Sequence, residues 1–446
     1  MRPTQLPPSR VLRHPLGRWV DPARAWAVLV ADEANSFWLD SGQGAGVSYL
    51  GSGSRVISGP DVFATLKTEL AEQRLADVAG SGFSLGWVGW LGYELRGETL
   101  GVPVARESRY PVSALMFVDR ALAFDHDAGE VTLLALGHAW QGELAEWRSA
   151  TIAALEGAAD VTLPVHAPGD AEVAWSDSDE RYLELIGRCQ AAIHAGDAYQ
   201  LCLTTEARVD VRPDPFAAYL ALRASSPAHH GGLIRVGDVA LLSSSPEQFL
   251  SVSPDGIVES KPIKGTRARG SNPAEDAALG AELLASDKER AENLMIVDLM
   301  RNDIGRVSEI GSVTVPSLFA VESYPQVHQL VSTVRGRLSP GVDGVDAVVA
   351  CFPAGSMTGA PKRNATLLLD GFENRARGIY AGAFGYFGLD GRVDLAMVIR
   401  SIVLDPAGAT VGAGGGITAL SVALEELAEV KLKAAALLAV LTTSAH

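Results

Sequence analysis

Short apolar runs separated by turn signals recur along most of this 446-residue chain, and this pattern restricts the fold more than any other feature. Between "WAVLVADEANSFWLDSG" and "VTLLALGHAW", turn residues such as "GSGS" and "DHDAGE" interrupt the runs at strand length. Farther along, "LDGR" at residues 389–392 lies between two apolar runs and indicates a hairpin. The chain is therefore predicted to be rich in antiparallel strands.

Helical periods are confined to a few segments. The segment "DERYLELIGRCQAAIHAG" predicts a helix that Asp179 caps and Gly196 ends. A longer helical pattern follows and is predicted to break near Ser286, and "ALSVALEELAEVKLKAAALLAVL" predicts a final helix. A polar, proline-containing stretch places a soft boundary near residue 175, which divides the chain into regions 1–175 and 176–446.

Composition excludes several classes of protein. The chain is 47% hydrophobic and 20% charged, which is typical of a globular protein. Its 37 basic and 53 acidic residues give a net charge of −16, which argues against a broad nucleic-acid surface and makes any anion site local. We expect no membrane span and no export signal. The three cysteines are widely spaced and are expected to be reduced, so a cytoplasmic protein is predicted.

Two predicted helices carry acidic pairs. Glu289 and Glu292 in one, and Glu426 and Glu429 in the other, have an i, i+3 spacing that puts both carboxylates on one helical face. A solvated surface is the usual interpretation of such a face. However, apolar runs adjoin both pairs, so part of each helix must be buried. Buried carboxylates need a cation, and oxygen ligands suit Mg²⁺.

Two glycine-rich segments, "PAGSMTGAPKRNA" and "GAGGGIT", could wrap an anion with backbone N–H groups. Ser356 and Thr358 lie in the first, and Lys362 would supply charge. Neither segment matches a P-loop or a dinucleotide-binding fingerprint, and tight turns are an alternative explanation of the glycines.

The segment "SKPIKGTRARG" is a cluster of basic residues in this acidic chain. Lys264 could be an ordinary exposed lysine. Desolvation, or the proximity of Arg267 and Arg269, would instead lower its pKa and make it a nucleophile or base. The two arginines could equally form ion pairs with neighbouring acids. Glu247, in "SSSPEQF", could donate a proton from a cleft or be merely solvated.

Taken together, these segments resemble the chorismate-utilising enzymes, the family that includes anthranilate, aminodeoxychorismate, isochorismate and salicylate synthases. The matching stretches are "GDAYQLCLT", "SSSPEQFL", "KPIKGTRARG", "AENLMIVDLMRNDIGRV", "YPQVHQLVSTVRG", "FPAGSMTGAPK", "GIYAGAFGY", "MVIRS", "GAGGGI" and "ELAEVKLKA". They occur in the family's order over roughly residues 180–435. The resemblance implies an α/β (α+β) fold, a large two-sheet, mainly antiparallel sandwich with flanking helices.

Within the family, the residue after "PI" distinguishes the reactions. Lys264 and "GSMTGAPK" are similar to the branch that converts chorismate and ammonia to 4-amino-4-deoxychorismate. Anthranilate synthase and isochorismate synthase activities are the alternatives. By the same resemblance, the enzymes of those two branches carry a small residue where this chain has Lys264. A non-catalytic relative is a further alternative.

The resemblance also implies roles for individual residues. Glu292 and Glu429 would hold Mg²⁺, with Glu289 and Glu426 behind them. Lys264 would be the nucleophile and Glu247 the general acid. The residues implied to contact or line the site of the substrate are Thr266, His328, Ser356, Thr358, Tyr386, Arg400, Gly415, Gly416 and Lys433.

No glutaminase signature surrounds the cysteines, so the resemblance implies ammonia from solution or from a glutamine amidotransferase subunit in a heterodimer. The segment "SFWLDSG" is similar to a strand that forms a tryptophan pocket in relatives. We expect a structural strand without a ligand here.

Overall fold

The computed structural model describes residues 9–42, 44–75, 82–324 and 327–444. In these ranges the strands are β1 (Arg10–Pro15), β2 (Asn35–Asp40), β3 (Val47–Ser52), β4 (Val56–Ser58), β5 (Gly86–Leu91), β6 (Ser113–Val118), β7 (Arg120–Asp125), β8 (Glu130–Gly137), β9 (Val173–Trp175), β10 (Gln200–Val209), β11 (His230–Val236), β12 (Val239–Ser245), β13 (Gln248–Val252), β14 (Ile257–Ser260), β15 (Ile263–Ala268), β16 (Thr314–Ser323), β17 (Val327–Arg337), β18 (Gly359–Ala360), β19 (Ala383–Gly388), β20 (Val393–Met397), β21 (Ser401–Asp405) and β22 (Gly408–Ile417). The helices of the same ranges are α1 (Pro22–Leu29), α2 (Val62–Glu72), α3 (Arg96–Leu100), α4 (Glu143–Glu156), α5 (Asp179–His194), α6 (Pro215–Ser225), α7 (Pro273–Ala285), α8 (Asp287–Gly305), α9 (Gly344–Cys351), α10 (Lys362–Glu373) and α11 (Ala423–Leu441). None of these helices is long and apolar enough to cross a membrane.

The strands form two large sheets. The first has the order β1-β8-β7-β3-β2-β11-β12-β21-β22-β10-β18, with β9 paired to β10. The second has the order β15-β17-β14-β13-β20-β19-β5-β6-β4, with β16 paired to β17. Strands from the two halves of the sequence pair directly, β2 with β11 and β5 with β19, both antiparallel. The boundary predicted near residue 175 falls at the end of β9, within the first sheet.

Alternating side chains explain why the sheets form a sandwich. In β2, Phe37 belongs to the core between the sheets, whereas Trp38 packs with the helices on the outer face. In β5, Val88 faces the core between the sheets and Trp87 the opposite outer face. Successive strand residues point to opposite faces, so both faces of each sheet are buried. The predicted two-sheet antiparallel sandwich with flanking helices is confirmed.

Local signals place the helix ends. Ser178, rather than the predicted Asp179, caps α5, because its side chain accepts a hydrogen bond from the backbone N–H of Arg181. Gly196 follows the helix with φ +84°, as predicted. Ser286 separates α7 from α8 and caps α8, which confirms the predicted break.

The segment "SFWLDSG" forms β2 in the first sheet. Its Asp40 carboxylate accepts hydrogen bonds from the hydroxyls of Ser48 at 3.0 Å and Tyr219 at 3.2 Å, and it pairs with Arg223. These contacts give the carboxylate a structural role, and the absence of a ligand there stays a prediction.

Candidate active site

A cavity of about 490 Å³ lies where both sheets meet α8 and α11. Its wall includes the following residues from our predictions: Glu247, Lys264, Thr266, Glu289, Glu292, Ser356, Arg400, Gly415, Gly416, Glu426, Glu429 and Lys433. Residues as far apart as Glu247 and Glu429 thus share one site, and the roles predicted for them stay predictions.

Lys264 lies in a β-bulge. The pairing of β15 with β17 shifts register between Ile263 and Thr266, which leaves Lys264 and Gly265 out of the regular ladder. Gly265 has φ +81°, and a Cβ there would be 2.9 Å from Cδ of Glu289. Glycine is therefore needed for the chain to turn against α8 and direct Lys264 into the cavity.

Glu247 lies in the turn between β12 and β13, and its backbone carbonyl accepts a hydrogen bond from the N–H of Met397 at 3.0 Å. Its side chain is buried in the cavity wall. Burial raises the pKa of Glu247 to about 7, although the Lys264 ammonium and the Ser356 hydroxyl oppose that shift. Glu247 can therefore carry a proton at neutral pH and is suited to general acid catalysis.

Four glutamates face each other across the cavity from two helices. Glu289 and Glu292 come from α8, where Ser286 caps the helix start. Glu426 and Glu429 come from α11. The spacing of each pair places both carboxylates at the cavity wall, where Glu426 is buried and Glu429 stays exposed to solvent.

The electrostatic surroundings of the carboxylates differ. Burial raises the pKa of Glu292 above its usual value, although Lys264 and Lys288 oppose the shift. Burial also acts to raise the pKa of Glu429, but the ammonium of Lys433 outweighs it and the pKa is lowered overall. Lys433 Nζ is 2.6 Å from Glu429 Oε1. The cavity therefore combines concentrated negative charge with cations that partly neutralise it.

The glycines of β22 give neighbouring side chains room at the cavity wall. A Cβ at Gly412 would lie 2.2 Å from the ring of Tyr380, and one at Gly416 would lie 2.2 Å from Nε2 of Gln200. Lys433 Nζ donates a hydrogen bond to the carbonyl of Gly414 at 3.0 Å. "GAGGGI" is therefore a close-packed strand that exposes backbone to the cavity, which accounts for its run of glycines.

Three predicted substrate contacts need correction, because the structure places them outside the cavity. His328 is buried between Ser323 and Asp276, and its neighbour Gln329 lines the cavity instead, since successive residues of β17 face opposite sides. Thr358 is buried and donates its hydroxyl hydrogen bond to a backbone carbonyl, that of Ala354, at 3.1 Å.

Tyr386 is the third. It packs in the core between the sheets, 4.9 Å from the ring of Phe83. Tyr380, at the start of the same "GIYAGAFGY" segment, lines the cavity. The motif contains both tyrosines, and spacing alone does not show that Tyr380 faces the cavity while Tyr386 faces the core.

The arginines of the "GTRARG" stretch form ion pairs with neighbouring acids. Arg267 is 3.2 Å from Glu282 and 3.6 Å from Glu289. Arg269 pairs with Asp276 at 2.6 Å. The second of the two interpretations of these arginines is therefore the one that the structure supports, and they fix the loop to α7 and α8.

Lys362 does not supply charge to a glycine-rich anion site. Its ammonium is buried in an ion pair with Asp303 of α8, and it donates a hydrogen bond to the carbonyl of Cys351 at 2.7 Å. The expectation of an anion site at this lysine is wrong, because the side chain joins α10 to α8 instead.

Replacing Lys362 with methionine should lower the free energy of unfolding by about 3 kcal/mol, since the buried Asp303 would keep only Arg306, at 3.5 Å, as a charged partner. Denaturant unfolding measures the change. The double variant Lys362→Met/Asp303→Asn should recover much of the loss. A single variant as stable as the unmodified protein would show that the ion pair contributes nothing.

Arg377 forms a buried support behind the cavity that sequence reasoning missed. It donates hydrogen bonds to the carbonyls of Met357 at 2.6 Å and Cys202 at 2.9 Å, both in residues that line the cavity. Glu373 neutralises it at 2.7 Å. Glu373 and Arg377 have an i, i+4 spacing in the sequence, which is also the spacing of an ordinary surface ion pair. The spacing therefore does not indicate that this pair is buried.

Comparison with known proteins shows which family and fold the chain matches. A family model described as chorismate binding enzyme matches residues 19–439. The chain is 43% identical to an aminodeoxychorismate synthase of Streptomyces pristinaespiralis, over 94% of this chain but only 64% of that relative. It is 40% identical to aminodeoxychorismate synthase component 1 of Klebsiella aerogenes, over 77% of this chain and 74% of the relative.

A solved structure of anthranilate synthase component I from Streptococcus pneumoniae superposes with a TM-score of 0.76 at 27% identity, covering 96% of this chain and 92% of the other. This likeness extends over both sheets, since it covers nearly the whole of each chain.

Proposed function

The chain belongs to the chorismate-binding enzymes, and on that basis we propose that it converts chorismate and ammonia to 4-amino-4-deoxychorismate, the amination that leads to 4-aminobenzoate. The names of the curated relatives support this assignment, although the chain spans less than two thirds of the Streptomyces relative. The proposal places the reaction among group transfers and the substrate in the cavity between α8 and α11.

One observation carries the proposal. A lysine, Lys264, and a carboxylic acid with a pKa of about 7, Glu247, line the same cavity, and the charge of the lysine acts on the glutamate. Amination of chorismate must remove a hydroxyl group, which is a poor leaving group unless it is protonated. A nucleophile and a proton donor in one cavity supply both requirements.

The reaction can be written with these two side chains. Lys264 reacts as the neutral amine after its ammonium group gives a proton to solvent. Its nitrogen forms a bond to C2 of chorismate, both conjugated ring double bonds shift, and the C4–O bond breaks as Glu247 protonates the departing hydroxyl to give water. Ammonia then forms a bond to C4, the two double bonds return, and the C2–N bond breaks, so that Lys264 leaves as the neutral amine. The new ammonium group at C4 gives one proton to the Glu247 carboxylate, and Lys264 takes a proton back from solvent.

The cavity also fits a hard divalent cation. Its four glutamates offer oxygen donors, and we propose that Glu292 and Glu429 hold Mg²⁺, with Glu289 and Glu426 orienting them. Mg²⁺ usually keeps several waters and is held by one or two protein carboxylates plus its substrate, so two glutamates would suffice. Bound there, Mg²⁺ would neutralise the carboxylate of chorismate.

Replacing Glu292 with glutamine should raise the Mg²⁺ concentration for half-maximal ammonium-dependent activity on the order of 100-fold, because one anionic oxygen donor is lost. Initial rates across a Mg²⁺ series measure this, and calorimetry of Mg²⁺ binding gives a second measure that does not depend on turnover. Glu425→Gln is the matched control, since Glu425 is exposed on α11 and outside the cavity wall. Equal Mg²⁺ requirements in both variants would remove Glu292 from the site.

We also propose that the ammonia comes from a glutamine amidotransferase partner in the cytoplasm. The Klebsiella relative is named component 1, which supports a second component for that protein. The three cysteines of this chain are all buried, and burial raises the pKa of Cys189 and Cys351 to about 12. A glutaminase nucleophile needs an accessible thiol with a lowered pKa, so these cysteines are unsuited to it.

Product identification tests the function. The chain is incubated with chorismate, Mg²⁺ and an ammonium salt, with and without an aminodeoxychorismate lyase. We expect a product that only the lyase converts to 4-aminobenzoate. Formation of anthranilate would instead assign anthranilate synthase activity to the chain. Formation of isochorismate would show that water adds in place of ammonia.

A further inference from the structure

Gln329 contributes an amide side chain to the cavity wall. The residue is buried, with 6% of its surface exposed, in the wall of the cavity that contains Lys264. Within residues 9–42, 44–75, 82–324 and 327–444, no hydrogen bond joins its carboxamide to another group of the protein. Buried amides are nearly always hydrogen-bonded, so this one is suited to a ligand in the cavity.

Strand β17 fixes the direction in which this side chain faces. His328 is hydrogen-bonded to side chains of β16 and α7, at 2.8 and 2.9 Å, on the side away from the cavity. The next residue of the strand therefore faces the cavity. Gln329 pairs with Thr266 of β15, two residues after Lys264. The amide is thus held beside the bulge that carries Lys264.

Gln329 is the only carboxamide among the described residues of the cavity wall. Most of the other polar side chains there are charged: Glu247, Glu289, Glu292, Glu426 and Glu429 are acidic, and Lys264, Arg267, Lys288, Arg400 and Lys433 are basic. A carboxamide has a carbonyl oxygen that accepts hydrogen bonds, and it carries no net charge. It therefore gives the wall an acceptor that does not attract cations as a carboxylate does.

The chemistry of ammonia calls for such an acceptor. Ammonia reacts only as the unprotonated amine, because its lone pair forms the new bond. A carboxylate that accepted its N–H groups would favour ammonium, in which that lone pair is already bonded to a proton. A neutral carbonyl accepts an N–H without this effect, and the positive charges of Lys264 and Arg267 in the same wall disfavour ammonium further.

We propose that Gln329 binds ammonia for its attack on C4 of the Lys264 adduct. The side-chain carbonyl accepts a hydrogen bond from ammonia, which leaves the lone pair free to form the N–C4 bond while the C2–N bond to Lys264 breaks. The nitrogen of ammonia gains positive charge as its bond to C4 forms, so the hydrogen bond strengthens in the transition state. This inference rests on the proposed function.

Gln329→Met tests the role, because methionine is similar in length and has no amide. Initial rates are measured across an ammonium series and across a chorismate series. We expect kcat/KM for ammonia to fall roughly 10- to 100-fold, the effect of losing a hydrogen bond to a developing charge, while KM for chorismate stays within about twofold. Gln141→Met is the matched control and should change neither value, since Gln141 is exposed and outside the cavity wall.

The Lys264 adduct separates this role from a structural one. Gln329→Met should form the adduct with chorismate alone, as the unmodified chain does, because ammonia takes no part in that step. An ammonium salt is then added, and intact-protein mass spectrometry follows the decay of the adduct. We expect this decay to be slower in the variant by the same factor of roughly 10 to 100. A variant that forms no adduct would overturn the proposal, because Gln329 would then act on chorismate or on the fold.

The results that would overturn this inference differ from those that would overturn the proposed function. An unchanged kcat/KM for ammonia in Gln329→Met would remove Gln329 from the ammonia site, while product formation by the unmodified chain would still support the proposed function. Isochorismate, or no product, from the unmodified chain would overturn both. If anthranilate formed, ammonia would still be the nucleophile, and the same comparison would decide the role of Gln329.

Discussion

Lys264→Ala should lower ammonium-dependent formation of 4-amino-4-deoxychorismate by roughly 10³-fold or more, because the amine that displaces the hydroxyl group would be gone. The loss should appear in kcat, since the other residues of the cavity wall still bind chorismate. Initial rates of lyase-coupled 4-aminobenzoate formation measure it. The structure supports a large effect, because the bulge at Gly265 fixes Lys264 in the cavity wall.

Two controls separate a nucleophile from a positive charge. Lys264→Arg keeps the positive charge, but its guanidinium stays protonated at neutral pH and cannot act as a neutral amine. This variant should therefore be nearly as inactive as the alanine variant. Lys261→Ala, in the same stretch but outside the cavity wall, should retain activity. Intact-protein mass spectrometry with chorismate and no ammonia should show an adduct of chorismate less water on the unmodified chain alone. Activity of Lys264→Ala within about tenfold of normal would mean that ammonia adds directly, without the covalent adduct.

Glu247→Gln should lower kcat/KM by about 10²- to 10⁴-fold, because the leaving hydroxyl would lose its proton donor. The pH profile gives a more specific signature. A general acid acts in its protonated form, and the pKa of Glu247 is raised to about 7, so it is protonated below that pH and loses its proton above it. In the unmodified chain, kcat/KM should therefore fall about tenfold per pH unit above pH 7.

This fall in kcat/KM above pH 7 should be absent from the residual activity of Glu247→Gln. Glu130 is exposed, so Glu130→Gln is the matched control and should keep the fall. The ammonium salt is adjusted at each pH so that the concentration of unprotonated ammonia stays constant. Ionisation of ammonium then does not contribute to the profile. A decline that survives in Glu247→Gln at the same pH would assign the ionisation to another group. A glutamine variant with full activity would remove Glu247 from the chemistry altogether.

Local spacing could predict only part of the candidate site. Glu289 and Glu292 were correctly placed on one helical face, because a 3.6-residue repeat decides that without any tertiary information. The spacing could not reveal whether that face meets water or Glu429, which is separated from Glu292 by most of the second half of the sequence. His328 shows the limit from the other side, since a one-residue difference along β17 decides whether a side chain faces the cavity or α7.

The sequence by itself determined the strand-length apolar runs, the break at Ser286 and the helical faces of the acidic pairs, since each depends on residues within a few positions of one another. Only the tertiary structure decided that Glu247 and Lys264 share a cavity. It also decided that Lys362 pairs with Asp303, and that Tyr380 rather than Tyr386 lies in the cavity wall. The physical reason is that burial and strand register arise from contacts between distant segments. The near-neutral pKa of Glu247 follows from that burial, so no local pattern could have indicated it.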